Sequence, residues 1–227
     1  GHYDRLLILQ KNAAKIPNII RTSLSFLSEK YLPVGFKGRV WLQSLNQDLN
    51  NGLPLIASYF DTKTRKSLLE KGNFTNVDSV RKKLFPSNSD IIQRATRMDF
   101  LTYLPEDILV KVDRASMLNS LEVRAPMLDF RIIEFAFSKV PTSLKTTTSN
   151  RKIILKKLVA KVLPESFDQQ RKQGFGVPIG DWFRKGEWNT FLKETLLNSR
   201  DPIFNVDIVK KIIEYFNTSS LIQISLI

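Results

Sequence analysis

The sequence predicts an all-α fold, a multi-helix domain of nine to eleven helices. Three observations carry that prediction. Apolar residues recur every three or four positions along nearly the whole chain. The breaks in that rhythm fall at Pro, Gly and short polar caps, which stop and start helices. Two-residue alternation, the mark of a half-buried strand, is almost absent.

The elements follow in order. "DRLLILQKNAAK" (4–15) is apolar and helix-favouring until Pro17, and "NIIRTSLSFLSEKYL" is a second helix ended by Pro33. "PVGFKGRV" connects, and helical character resumes near 39–50. "DTKTRKSLLEKG" (61–72) has Asp61 as an N-cap and a Gly stop. Helices are expected over 76–84 and 89–103, the latter capped by Ser89. In "LPEDILVKVDRASMLNS", Pro105 stands in the first turn with Glu106 and Asp107 facing the positive helix end. Ile108, Leu109, Val112 and Ala115/Ser116 are expected to form a buried stripe. "LEVRAP" is extended and stopped by Pro126. "LDFRIIEFAFSKV", "NRKIILKKLVAKVL", "WNTFLKETLLN" and "VDIVKKIIEYFN" complete the helices. In "NRKIILKKLVAKVL" the lysines lie opposite Ile153, Ile154, Leu158 and Val162, as in an amphipathic core helix.

Composition narrows the chemistry. With 227 residues, 42% hydrophobic and 10% aromatic, the chain can bury a sizeable core. No cysteine is present, so a disulfide, a thiolate metal site and a Cys nucleophile are excluded within it. A single histidine, His2, argues against a histidine zinc site or a Ser-His-Asp triad, and no metal ligands are assigned. No apolar run reaches membrane-spanning length and no signal-peptide pattern opens the chain; the cytoplasm is the expected location, with no membrane partner. The net charge of +13 favours polyanionic partners. The cations are nevertheless dispersed in pairs and triads, the pattern of a solvated helical surface.

Three stretches could carry chemistry, the third being "SNRKIILKKLVAKVLP", whose apolar face suits core packing better than a membrane surface. "DRASMLNSLEVRAPMLD" gathers Asp113, Arg114, Glu122, Arg124 and Asp129 around a helix end and a Pro-stiffened turn. Such charges can form a polar wall beside a substrate or a structural salt-bridge network, and pattern alone favours the network. "RKQGFGVPIGDWF" (171–183) sets Arg171 and Lys172 before Gly174 and Gly176, where cations and backbone N–H groups can converge on an anion. Its plainer role is a helix-to-helix connector. No P-loop or dinucleotide glycine motif is present.

Taken together, "LPEDILVKVDRASMLNSLEVRAPMLD" and "NRKIILKKL…LPESFDQQRKQGFGVPIGDWFR" closely resemble the C-terminal synthetase domain of glutamine-hydrolysing asparagine synthetases. The likeness is strongest over 99–188, "SRDPIFNVDIVKKIIEYFN" resembles the family's final helical segment, and 18–98 match only in being helical. The resemblance implies that residues 1–227 are the helical remainder of an α/β, adenine-nucleotide α-hydrolase-like synthetase domain. The family's pyrophosphate-loop core and N-terminal glutaminase domain have no counterpart in this sequence. Gly1-His2-Tyr3 resembles the tail of the family's acidic motif, and both termini read as a piece of a longer protein.

In that family ATP, with Mg2+, adenylylates the side-chain carboxylate of aspartate, and glutamine-derived ammonia converts the adenylate to asparagine and AMP. The resemblance implies that Lys172 is catalytic and binds nucleotide and pyrophosphate, with Arg171 beside it. It places Glu122 and Arg124 at the substrate pocket and Asp113, Arg114 and Asp129 in structural positions near it. "GFGVPIGDW" resembles a family branch in which the acceptor can differ, so a related carboxylate can replace aspartate. The expected partners are the α/β core and the glutaminase domain, with room for a homodimer and no nucleic acid. This piece alone is expected to be inactive. Two other functions are weighed against this one: a basic helical nucleic-acid-binding module, and a catalytically silent scaffold of the same fold.

Overall fold

The computed structural model describes residues 3–34, 36, 38–49, 60–69, 90–167, 178–198 and 203–218. Among these residues the fold is all-α. Strand-like pairing is confined to two isolated bridges, Leu69 with Phe204 and Thr146 with Arg151. Twelve α-helical segments are present among the described residues, including two single turns that the apolar rhythm does not announce. The predicted helix at 76–84 lies outside the described residues.

The chain divides into two compact units, each drawn from separated stretches of sequence. The first comprises 1–11, 48–54 and 77–168. Helix α1, Tyr3–Ala13, enters it, and α5, Ile91–Leu101, supplies much of its interior. Among the described residues, Leu6, Leu9, Leu49, Ile91, Ile92, Ala95 and Val140 are the buried apolar side chains of this unit. The N-cap of α5 is Asp90, not Ser89: its carboxylate accepts the N–H groups of Ile92 and Gln93, both at 2.9 Å. An Asp at this position satisfies two otherwise unpaired helix donors at once. The same carboxylate also accepts the Thr142 hydroxyl at 2.8 Å.

Polar contacts tie this unit together. Arg94 is buried and donates through Nη2 to the Leu49 carbonyl, and burial pushes its guanidinium below its ordinary value against the opposing pull of Asp48 and Asp90. The Tyr3 hydroxyl donates to Asp99 at 2.5 Å, and burial, together with that carboxylate, raises its pKa well above the usual phenol range. Asp4 pairs with Arg151 at 2.5 Å. Burial pushes Asp4 up, but Arg151 and backbone N–H groups outweigh it and hold the carboxyl below its usual range.

Beyond α5 the backbone widens into a π-helical stretch, Leu104–Leu109, with Pro105 in its first turn, and then tightens into α6, Val110–Met117. The buried stripe expected here does not form. Leu109 and Val112 are exposed, and no residue of either segment is buried. Helices α7, Phe130–Ser138, and α8, Thr142–Lys145, precede α9, Ile153–Val162. The core role expected of α9 also fails, since Leu158 and Val162 lie on the surface at 56% and 70% exposure. The physical reason is shared. These segments pack mainly on their neighbours in sequence, so among the described residues little covers their apolar sides.

The second unit comprises 12–47, 55–76 and 169–227. Its described helices are α2, Asn18–Tyr31; α3, Arg39–Ser44; α4, Thr62–Leu68; α10, Ile179–Trp182; α11, Glu187–Leu197; and α12, Val206–Thr218. Helices α2 and α3 pack together, as do α11 and α12. Asp61 caps α4, accepting the Thr64 N–H at 2.8 Å as its sequence position predicts. Its second oxygen meets Arg39 Nη2 at 2.9 Å, with both side chains nearly inaccessible.

Candidate functional site

The segment that the family resemblance singles out begins where α6 ends. Ser120 adopts the left-handed conformation at φ 53°, the Ser120 N–H donates to the Met117 carbonyl and the Leu121 N–H to the Ser116 carbonyl, both at 3.0 Å. These two bonds form a Schellman C-cap with serine where glycine is usual. The chain is thereby turned out of the helix into an irregular stretch, 121–125, that makes no strand ladder.

Within that stretch Glu122 and Arg124 stand two positions apart, the spacing that puts side chains on one face of an extended backbone. Glu122 Oε1 accepts from Arg124 Nε at 2.8 Å and Nη2 at 2.6 Å. Both residues are largely exposed, at 70% and 87% of their side-chain surface. An exposed pair of this kind adds little to stability, because water screens it and two long side chains lose freedom. It does place a guanidinium and a carboxylate side by side at the surface.

Pro126 opens a single 3-10 turn, Pro126–Leu128, and Asp129 then caps α7. Asp129 accepts the Arg131 backbone N–H at 2.9 Å and grips the Arg131 side chain through Nε at 2.9 Å and Nη2 at 2.8 Å. The Arg131 side-chain bond, with help from the backbone N–H groups, keeps the Asp129 carboxyl below its ordinary range. Arg131 is a partner that the charged residues gathered from the sequence do not include. Its signal was legible, as a cation two positions after a capping Asp.

The five charged residues gathered by sequence therefore do not form one network. Glu122–Arg124 and Asp129–Arg131 are separate local pairs. Asp113 and Arg114 sit exposed on α6 and enter no ion pair among the described residues. Arg171 and Lys172, with Gly174 and Gly176, lie outside the described residues, which resume at Pro178 just before the single turn of α10. Among the described residues, no three of His, Asp or Glu come together as a metal site. No helix among them is long and apolar enough to cross a membrane.

Among the described residues, a Schellman-capped helix, a Glu-x-Arg pair and a Pro turn thus follow one another in an all-α setting, in the order of the sequence blocks that carry the family resemblance. The asparagine synthase family model matches residues 3–222, and the chain belongs to that family. It is similar to asparagine synthetase [glutamine-hydrolyzing] 1 of Bacillus subtilis (strain 168), with 30% identity over 204 residues, covering 88% of this chain and 32% of that protein. It is also similar to a putative asparagine synthetase [glutamine-hydrolyzing] of Mycobacterium tuberculosis (strain ATCC 25618 / H37Rv), with 31% identity over 176 residues, covering 76% of this chain and 26% of that one. The chain thus spans a third or less of the length of these relatives. No solved structure matches it.

Proposed function

We propose that this chain is the helical part of an ATP-dependent, asparagine-synthetase-like ligase that acts in the cytoplasm. A carboxylate oxygen of aspartate, or of a related acceptor, attacks the α-phosphorus of ATP. The bond between the α-phosphorus and the bridging oxygen breaks, and pyrophosphate leaves. Ammonia released from glutamine then attacks the acyl carbon, AMP departs, and the surplus proton of the new amide passes to solvent. The observation that carries this proposal is the family match along nearly the whole chain.

The roles fall to few residues. Lys172, with Arg171 beside it, supplies positive charge where negative charge builds on the departing pyrophosphate. Arg124 suits a carboxylate through its planar donors, and Glu122 suits an amino group; as a pair they match the two charged ends of an amino acid. Asp113, Arg114 and Asp129 shape the surrounding turns, and Asp129 has the geometry for that role as the cap of α7. Magnesium arrives with ATP in this scheme. The described residues assemble no carboxylate cluster for it, so no step is routed through the ion. The remaining substrate groups come from an α/β core and a glutaminase domain, and a homodimer is compatible with the scheme. The chain by itself is inactive on this view.

The test is pyrophosphate release by the full-length protein that carries this chain, given ATP, magnesium and ammonia, with and without aspartate. Aspartate-dependent release supports the proposal and makes asparagine the expected product. Release with another carboxylate keeps the chemistry and changes the acceptor. No release from folded protein with any acceptor favours a silent scaffold.

A further inference from the structure

The second unit contains a cavity that the proposed reaction does not use. Its volume is about 210 Å3, and its lining includes Ser25 and Glu29 of α2, Gln43 of α3, Asn46, Asp61 and Lys63. The floor is built and polar: Ser25, Gln43 and Asp61 are each more than nine-tenths buried. Gln43 Nε2 donates to Asp61 Oδ2 at 3.3 Å, which fixes the amide orientation. Its Oε1 is then a buried acceptor with no hydrogen-bond partner. A buried orphan acceptor is costly unless something donates to it.

The charges around this floor are unequal in their commitments. Asp61 is satisfied by Arg39 and by the Thr64 N–H. Glu29, half-buried, and Lys63, exposed, enter no ion pair among the described residues. One free carboxylate and one free ammonium therefore border the same small polar space. A polyamine would meet Lys63 and a dicarboxylate would meet Glu29, each with like charge. A neutral sugar would leave both charges unanswered. The cavity is also smaller than the roughly 300–1,000 Å3 typical of drug-sized ligands, which rules against a nucleotide.

We infer that this cavity binds a small free α-amino acid with a polar side chain, its ammonium facing Glu29 and its carboxylate facing Lys63. The site is separate in composition from the proposed reaction machinery and does not depend on that reaction being correct.

Calorimetric titration of the full-length protein, without ATP, tests it, using L-asparagine and L-serine as probes and N-acetyl-L-asparagine as the control lacking an ammonium. The expected result is saturable binding of a free amino acid, weakened about tenfold in Glu29→Gln and in Lys63→Gln, the scale of one lost charge-assisted contact. N-acetylation is expected to abolish binding, a comparison made on unaltered protein that needs neither variant to fold. Absence of binding up to about 10 mM of either probe overturns the inference. So does binding indifferent to both Glu29→Gln and Lys63→Gln, which would place the amino acid at another site.

Discussion

Arg39 and Asp61, 22 positions apart in sequence, meet at 2.9 Å with only 6% and 7% of their side chains accessible. Burial pushes Asp61 up, yet the Thr64 N–H, Arg39 and Gln43 together hold its carboxyl below the ordinary range. Removing one member of such a pair strands the other charge in a poor solvent, so Asp61→Asn should destabilise this unit by about 3–5 kcal/mol. The sign with pH follows from the depressed folded value. Asp61 contributes its stability fully above its unfolded pKa, about 4, and that contribution is lost as pH falls through the lower folded value. Urea titrations of the parent and Asp61→Asn proteins between neutral pH and strong acid check this. The gap between the two should narrow with acidification, and a constant gap would refute the assignment.

The cap of α5 offers a milder test. Asp90→Ala removes the acceptor for Ile92 and Gln93 and should cost about 1 kcal/mol, whereas Asp90→Asn should retain most of the stability. Thermal melting of the two variants separates them, and equal losses would show that the negative charge, not the cap geometry, matters.

Glu122 and Arg124 are predicted to matter for turnover and not for folding. Their pair is exposed, so Glu122→Ala and Arg124→Ala should each shift stability by no more than about 1 kcal/mol. In the full-length protein, acceptor-dependent pyrophosphate release should fall at least about tenfold in each, as expected for loss of a charged substrate contact. Normal turnover in both variants would remove them from the substrate pocket.

Lys172→Ala in the full-length protein should abolish pyrophosphate-releasing turnover while leaving the melting curve in place. Lys172→Arg should recover only part of the rate, since a planar fork cannot replace a point charge without repositioning. A folded Lys172→Ala protein with the parent rate would end that assignment.

The sequence by itself determined the helices, because helix periodicity, proline stops and capping residues are local. The Asp61 cap, the boundaries around Pro17 and Pro33 and the turn at Pro126 were all legible for this reason. It also determined the family, since the blocks around Glu122-x-Arg124 occur in a definite order. Only the tertiary structure decided which apolar stripes became core. Ile91 and Ile92 are buried while Leu158 and Val162 are not, although both pairs sit on amphipathic helices. Amphipathicity states that a face is apolar, and burial requires a second surface against it, which is information carried by distant residues. Pairing of charges divides in the same way. Asp129 with Arg131 could be read from neighbours in the chain, but Arg39 with Asp61 exists only because folding brings α3 to the start of α4.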